Sequence, residues 1–290
     1  MTSRDRTIDI LMVTHNRPDY TRLSLKRLLE TCDETMRVWV WHNGKDRDTL
    51  DVVESFSSHP SFYELHRSPE NKKLHEPTNW FWANSRGGYL GKVDDDCLVP
   101  MAWAQTLRRA HEDVAEFGVL GCWRFLPEDY VPELAERKLQ DFGGGYRILQ
   151  NTWVEGSGYL MKRACVDTYG LLRRKITFPM YCKRLALNGW IHGWYFPFLY
   201  QEHLDDPRSP HCMLRTDEDL QRNAPLTAQK FGVYTLEERI AQIKASALRC
   251  QSASTEPLAN VSLGPKLRQL LTRHRRWPRA PAQGTAHSSR

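Results

Sequence analysis

Two apolar runs, IDILMVT (Ile8–Thr14) and RVWVW (Arg37–Trp41), limit most strongly what this chain folds into. Neither run alternates cleanly between polar and apolar residues, so each needs cover on both faces. Between them lies HNRPDYTRLSLKRLLETC. Pro18 suits the first turn of a helix, and Leu23, Leu25, Leu28 and Leu29 give that helix a broadly apolar face. The pattern then repeats. Thr49–Phe56 reads as a short helix, Phe62–His66 as a third strand, and Arg67–Glu76 as a polar loop. Pro77 opens a helix, PTNWFWANSR, that Gly87 and Gly88 break. Tyr89–Val93 reads as a fourth strand, and Pro100 starts a helix running to about Phe117. Strand–helix alternation of this kind predicts an α/β fold with a mostly parallel sheet flanked by helices.

The second half is less regular. Asn151–Met161 reads as a strand containing a flexible GSG, Tyr181–Asn188 as a helix and Trp194–Tyr200 as an aromatic strand. Thr235 and Glu238 form a capping-box pattern at the start of a helix reaching Cys250. After Ser252 the chain is rich in Ser, Pro and Arg, the composition of a disordered tail.

Bulk composition excludes little. The 41 Lys and Arg exceed the 35 Asp and Glu by six, and much of that excess sits near the C-terminus. The body is nearly balanced, so charge alone does not call for nucleic acid. The seven cysteines are scattered without a CxxC pair, which suggests neither a zinc ribbon nor a disulfide framework. The first residues, MTSRDRTIDI, carry charges and no apolar core of a signal peptide. No apolar run approaches the ~20 residues that span a bilayer. A cytoplasmic protein with reduced thiols is the expectation.

The chemistry concentrates at GKVDDDC, Gly91–Cys97. Asp94, Asp95 and Asp96 follow an apolar strand, and ligands of parallel α/β sheets bind outside the carboxyl ends of the strands. Thr14–Asn16, His42–Asn43 and Asp94–Asp96 therefore share one rim. Three adjacent carboxylates either form a solvated turn before Pro100 or hold a hard cation, Mn2+ or Mg2+. LYQEHLDDPRSPHC adds His203, Asp205, Asp206 and His211 after another strand. A histidine among the ligands would favour Mn2+ somewhat over Mg2+.

Three blocks, ILMVTHNRPDY, VWVWHNG and GKVDDDC, resemble the signatures of GT-A fold glycosyltransferases of the family-2, inverting type. The likeness is strongest over Ile8–Pro100 and continues more weakly through WVEGSGYLMKR and CKRLALNGWIHGW to His203. It implies a single GT-A domain over 1–251, with a nucleotide-sugar-binding half at 7–100 and a less regular acceptor half at 101–251, followed by a basic tail at 252–290. Thr14, His15 and Asn16 would line the base and ribose. His42 stands where the family usually has a base-reading Asp, which leaves the base open, and Asn43 would share that work. Asp94 and Asp95 would meet the ribose or sugar side. Asp96 and His203 would ligate the metal bridging a diphosphate.

The resemblance also implies transfer of a sugar from a nucleotide-diphosphate donor to an acceptor hydroxyl. That step needs a general base. The family supplies one from a Glu-Asp pair before a helix like CKRLALNGW, but this chain has ITFPMYCKRL there. Asp205 and Glu155 are the substitute candidates, and a scaffold that binds a nucleotide sugar or glycan without turnover is the alternative. Trp153, beside EGSG, is the candidate acceptor contact, because indole faces stack on sugar C–H surfaces. The acceptor is a glycan, a lipid-linked molecule or a small molecule. The tail segment KLRQLLTRHRRWPR either lies on an anionic membrane surface at its inner face, suiting a lipid-linked acceptor, or stays solvated. No folded nucleic-acid module is present in the sequence, so nucleic acid is not expected as a partner.

Overall fold

Ile8–Thr14 forms β1, and all seven of its residues are buried. Successive side chains of a strand point to opposite faces. Ile8, Ile10 and Met12 accordingly enter one core cluster, and Leu11 and Val13 enter another. That division explains why the run is apolar throughout. The structure is a computed structural model, and it describes residues 6–257.

After β1 come α1 (Pro18–Glu30), β2 (Met36–Asn43), α2 (Arg47–Glu54), β3 (Phe62–Ser68), α3 (His75–Asn84) and β4 (Tyr89–Lys92). Then follow β5 (Cys97–Leu98), α4 (Trp103–Asp113), β6 (Phe117–Gly121), α5 (Pro132–Ala135), β7 (Leu139–Phe142), β8 (Tyr146–Asn151) and β9 (Tyr159–Lys162). The remainder holds α6 (Arg163–Tyr169), α7 (Phe178–Ala186), β10 (Ile191–Phe196), β11 (Glu202–His203), α8 (Asp217–Arg222), α9 (Leu226–Phe231) and α10 (Leu236–Ser252). The main sheet has the order β3-β2-β1-β4-β9-β6-β10-β8-β7, and β11 pairs with β5 in a separate ribbon. In the main sheet β9 and β8 run against the other strands. This is the expected mostly parallel sheet. Residues of α1, α2 and α4 pack on one face, and residues of α3, α6 and α7 on the other.

Three expectations need correction. The helix predicted from Pro100 to Phe117 spans only Trp103–Asp113, and Phe117 opens the buried strand β6 instead. FGVLG does not look like a strand, because glycine weakens β structure. Here Gly118 is needed, since a Cβ would lie 2.8 Å from the His192 ring and 3.0 Å from Trp190. The strand predicted over Asn151–Met161 is two strands, β8 and β9, joined by a loop whose Gly158 has a φ of +64°. The aromatic strand starts earlier and stops at Phe196, before Pro197, which has no N–H for the ladder. The α10 capping box is present, with the Thr235 hydroxyl accepting from the Glu238 N–H. The tail expected from 252 lies, beyond Pro257, outside the described residues. No helix among the described residues is long and apolar enough to cross a membrane.

One charge sits inside the core of β1. Asp9 is fully buried, yet its carboxylate accepts two bonds from Arg37 (2.7 and 2.9 Å) and one each from the Arg86 and Gly87 N–H groups (3.0 and 2.7 Å). Both oxygens that burial strips of water are thereby hydrogen-bonded.

The buried His192 carries a pH dependence. Its Nδ1 accepts the Val119 N–H at 3.0 Å, and its Nε2 lies 3.0 Å from the Cys182 carbonyl, which accepts from it. A second proton would face the Val119 N–H. Burial pushes the ring down to about 4. The unfolded ring takes up its proton near pH 6.5, so the unfolded state binds more protons as pH falls from about 6.5 to 4. Stability falls over that window by roughly 1.4 kcal/mol per unit for this group. In urea titrations at pH 7 and pH 5, His192→Gln is expected to lose less stability between the two pH values than the wild type; an equal loss would refute the assignment.

Candidate active site

The rim is built at the carboxyl ends of β1, β2 and β4. Thr14 Oγ1 lies 3.0 Å from His42 Nδ1, and His15 Nδ1 lies 2.8 Å from the Asn43 carbonyl oxygen. Asn16 adopts a left-handed φ of +50°, which Asn tolerates better than most residues. That bend aims Arg17 back under the rim. The predicted groups at Thr14–Asn16, His42–Asn43 and Asp94–Asp96 are thus brought together.

The three aspartates do three different things. Asp94 is contacted by the buried Lys92 ammonium, which also donates to the Gly156 carbonyl at 3.0 Å. The Asp94 N–H donates to Ser157 Oγ at 2.9 Å, tying the turn to the EGSG loop. Burial raises the Asp94 carboxyl, and Lys92 pulls against that rise. Asp95 points inward, accepting the His15 N–H at 3.2 Å and lying 3.5 Å from the Thr21 hydroxyl. Burial and the neighbouring Asp96 push it up to about 8. Asp96 faces the opposite way, toward β11.

Asp96 Oδ2 accepts from Arg17 Nη1 at 3.0 Å, and Arg17 Nη2 reaches both oxygens of Asp205 at 2.8 Å. One guanidinium therefore bridges the DDD turn and the chain after β11. Burial alone would raise the Asp96 carboxyl, but His203 and Arg17 outweigh it and hold the group well below the usual carboxylate range. Asp205 is pushed up to about 7 by burial and by Asp96, against the pull of Arg17. The ribbon of β5 and β11 fixes the spacing, pairing Cys97 with His203 and closing with the Leu204 N–H donating to the Asp96 carbonyl at 2.8 Å.

His203 Nε2 stands 4.0 Å from Asp96 Oδ2, and among the described residues its ring takes part in no hydrogen bond. Burial pushes it down to about 3, against the pull of Asp96. A buried imidazole beside an ionised carboxylate fits a divalent cation. Asp96 and His203 are the residues that would hold it.

The two base candidates are already paired. Glu155 receives Arg124, and Asp205, 2% exposed, is clamped by Arg17. Trp153 is buried in the core, and the Lys183 ammonium lies 4.9 Å from its ring centroid, so its face is not an open stacking surface. Asn43 accepts from Trp41 Nε1 (2.8 Å) and the Lys72 N–H (3.0 Å) and donates to the Lys73 carbonyl (3.1 Å). Its side chain shapes the loop before α3. His42 is buried with Nε2 unpartnered, beside a crevice of about 320 Å³ lined in part by Lys45, Arg47, Arg67 and Ser68. Sequence reasoning missed Arg17 and Ser157. Only Arg17 had a visible cue, as the Arg of the Thr-x-Asn-Arg block.

Residues 9–168 match the model of glycosyl transferase family 2. The chain belongs to that family. It is a glycosyltransferase with a GT-A fold. Solved structures of this fold include a mannosyltransferase, PcManGT from Pyrobaculum calidifontis, in complex with GDP-Man and Mn2+; it is 15% identical, with 91% of this chain and 78% of that one covered and a TM-score of 0.58. S. aureus TarS 1-349 in complex with UDP-GlcNAc is 15% identical, covering 92% and 79%, with a TM-score of 0.53. GalNAc-T7 with UDP, GalNAc and Mn2+ is 11% identical, covering 68% and 44%, with a TM-score of 0.53. A search of curated proteins returned no match. For this family-2 chain the wide pairings around Arg17 carry a stability prediction. Arg17→Met leaves Asp96 and Asp205 facing each other without their shared cation, which is expected to cost about 3–5 kcal/mol in urea unfolding. Adding Asp205→Asn should recover part of that loss, and a single variant as stable as wild type would overturn the bridging role.

Proposed function

We propose that this glycosyltransferase moves a sugar from a nucleoside-diphosphate sugar to an acceptor hydroxyl, with a divalent cation held by Asp96 and His203. The observation that carries the reading is the buried His203 ring 4.0 Å from Asp96 at the carboxyl edge of the sheet. The GDP-Man, UDP-GlcNAc and Mn2+ named for the similar structures support a nucleotide-sugar donor and a divalent metal. When bound, such a cation neutralises the charge developing on the diphosphate leaving group.

The chain's own residues divide the remaining work. Thr14, His15, Asn16 and His42 frame the nucleotide, with His42 offering Nε2 where an Asp is usual. Asp94, oriented by Lys92 and Ser157, meets the ribose or the sugar. Asn43 and Asp95 hold the loops that these groups stand on. Asp205 braces Arg17. Glu155, the more exposed of the two base candidates, takes the acceptor proton once Arg124 releases it, and the sugar inverts. Residues 7–100 grip the donor and 101–251 shape the acceptor side, where Trp153 supports from beneath. A role in cell-surface polysaccharide or glycolipid synthesis, with the basic tail on the membrane, fits a lipid-linked acceptor.

The test is a thermal-shift panel of nucleoside diphosphates with Mn2+, with Mg2+ and with chelator. A ligand at a hundred times its Kd stabilises the native state by about 2.7 kcal/mol, roughly 5–10 °C for a chain of this size. One nucleotide should give a shift that chelator abolishes and that Asp96→Ala lacks, and donor hydrolysis should fall with it. A metal-independent shift, or full hydrolysis by folded Asp96→Ala, would refute the metal assignment.

A further inference from the structure

The cation site contains a sulfur. Cys97 follows Asp96 directly and is 1% exposed. It lies opposite His203 in the β5–β11 ribbon. Residues directly opposite in an antiparallel pair project to the same side. Ligand atoms of Asp96, Cys97 and His203 all lie within 4.8 Å of one another. Two donors on one tetrahedral ion stand roughly 3.5 Å apart, given bond lengths near 2.0–2.3 Å, so closing the set needs movements of about an ångström. Cys97 Sγ donates to Asp96 Oδ1 at 3.4 Å, and the Ser157 side chain also contacts it.

We propose that Cys97 is a third protein ligand, giving the cation site a sulfur–nitrogen–oxygen donor set that selects borderline ions such as Zn2+ or Co2+ over Mg2+. The inference rests on the metal reading of Asp96 and His203 above and adds the sulfur to it. Hard Mg2+ takes oxygen ligands, whereas thiolate and imidazole draw Zn2+ and its neighbours. As sulfur coordinates, the thiol proton is released to solvent. The S–H bond to Asp96 is lost at the same moment, which frees that oxygen for the ion. The arrangement is assembled across the fold, since His203 reaches Cys97 only through the pairing of β11 with β5.

Cobalt substitution tests this without reference to turnover. The wild-type protein titrated with Co2+ should show d–d bands together with a thiolate-to-cobalt charge-transfer band in the near ultraviolet. Cys97→Ser should lose the charge-transfer band, keep weaker d–d bands, and bind Zn2+ about a hundredfold less tightly, the upper end of what loss of even an outer-shell partner costs. Its Mg2+ affinity should change little. Cobalt d–d bands without charge transfer in the wild type would overturn the sulfur ligand and leave Asp96 and His203 standing. No cobalt binding at all would overturn both. A charge-transfer band unchanged in Cys97→Ser would assign the cobalt to another of the seven cysteines and overturn the proposal. If Cys97→Ser does not fold, Asp96→Asn, which keeps the sulfur, must shift the cobalt spectrum; an unchanged spectrum overturns the proposal equally.

Discussion

The guanidinium of Arg17 is the cation on which the rim depends before any metal arrives. It spans Asp96 and Asp205 with three short contacts and joins the β1–α1 loop, the DDD turn and the segment after β11. Without it two buried carboxylates would face each other in a low-dielectric setting, where like charges are costly. A planar fork suits this task, since it reaches one carboxylate in bidentate fashion and a second from its other arm. The left-handed Asn16 and Pro18 at the start of α1 aim it there.

Three adjacent aspartates are tolerated because each has a separate answer to its charge. Lys92 meets Asp94, backbone and hydroxyl donors meet Asp95, and Arg17 with His203 meets Asp96. The pKa directions follow this division. Asp95, with no cation in direct contact, is raised, and Asp96, between a guanidinium and an imidazole, is lowered. A turn that looked like concentrated repulsion is a set of three differently neutralised groups. Only Asp96 stands beside His203 of β11, at 4.0 Å.

The pairings also bear on catalysis. Glu155 and Asp205 emerged as base candidates because they are carboxylates near family blocks. The structure shows each occupied by an arginine, and Asp205 the more deeply so. Trp153 drew notice beside EGSG, yet it fills the core under Lys183. A residue type suited to a task says nothing of whether a neighbour already holds it.

The apolar runs by themselves determined the layered α/β architecture and the rim. An unbroken buried strand requires cover on both faces, and the chain between strands had helical spacing to provide it. β1, α1, β2 and the α10 capping box were legible for that reason, since their information is local. β6 was not, because its Gly118 answers to His192 and Trp190, far along the chain. The site's inner pairings were not legible either. Arg17 meets Asp96 and Asp205 at separations of 79 and 188 residues, and Cys97 meets His203 through a two-residue ribbon. Periodicity registers neighbours two to four positions apart. Which cation neutralises which carboxylate is settled only when the packed sheet brings distant loops to one edge, so tertiary structure alone decided it.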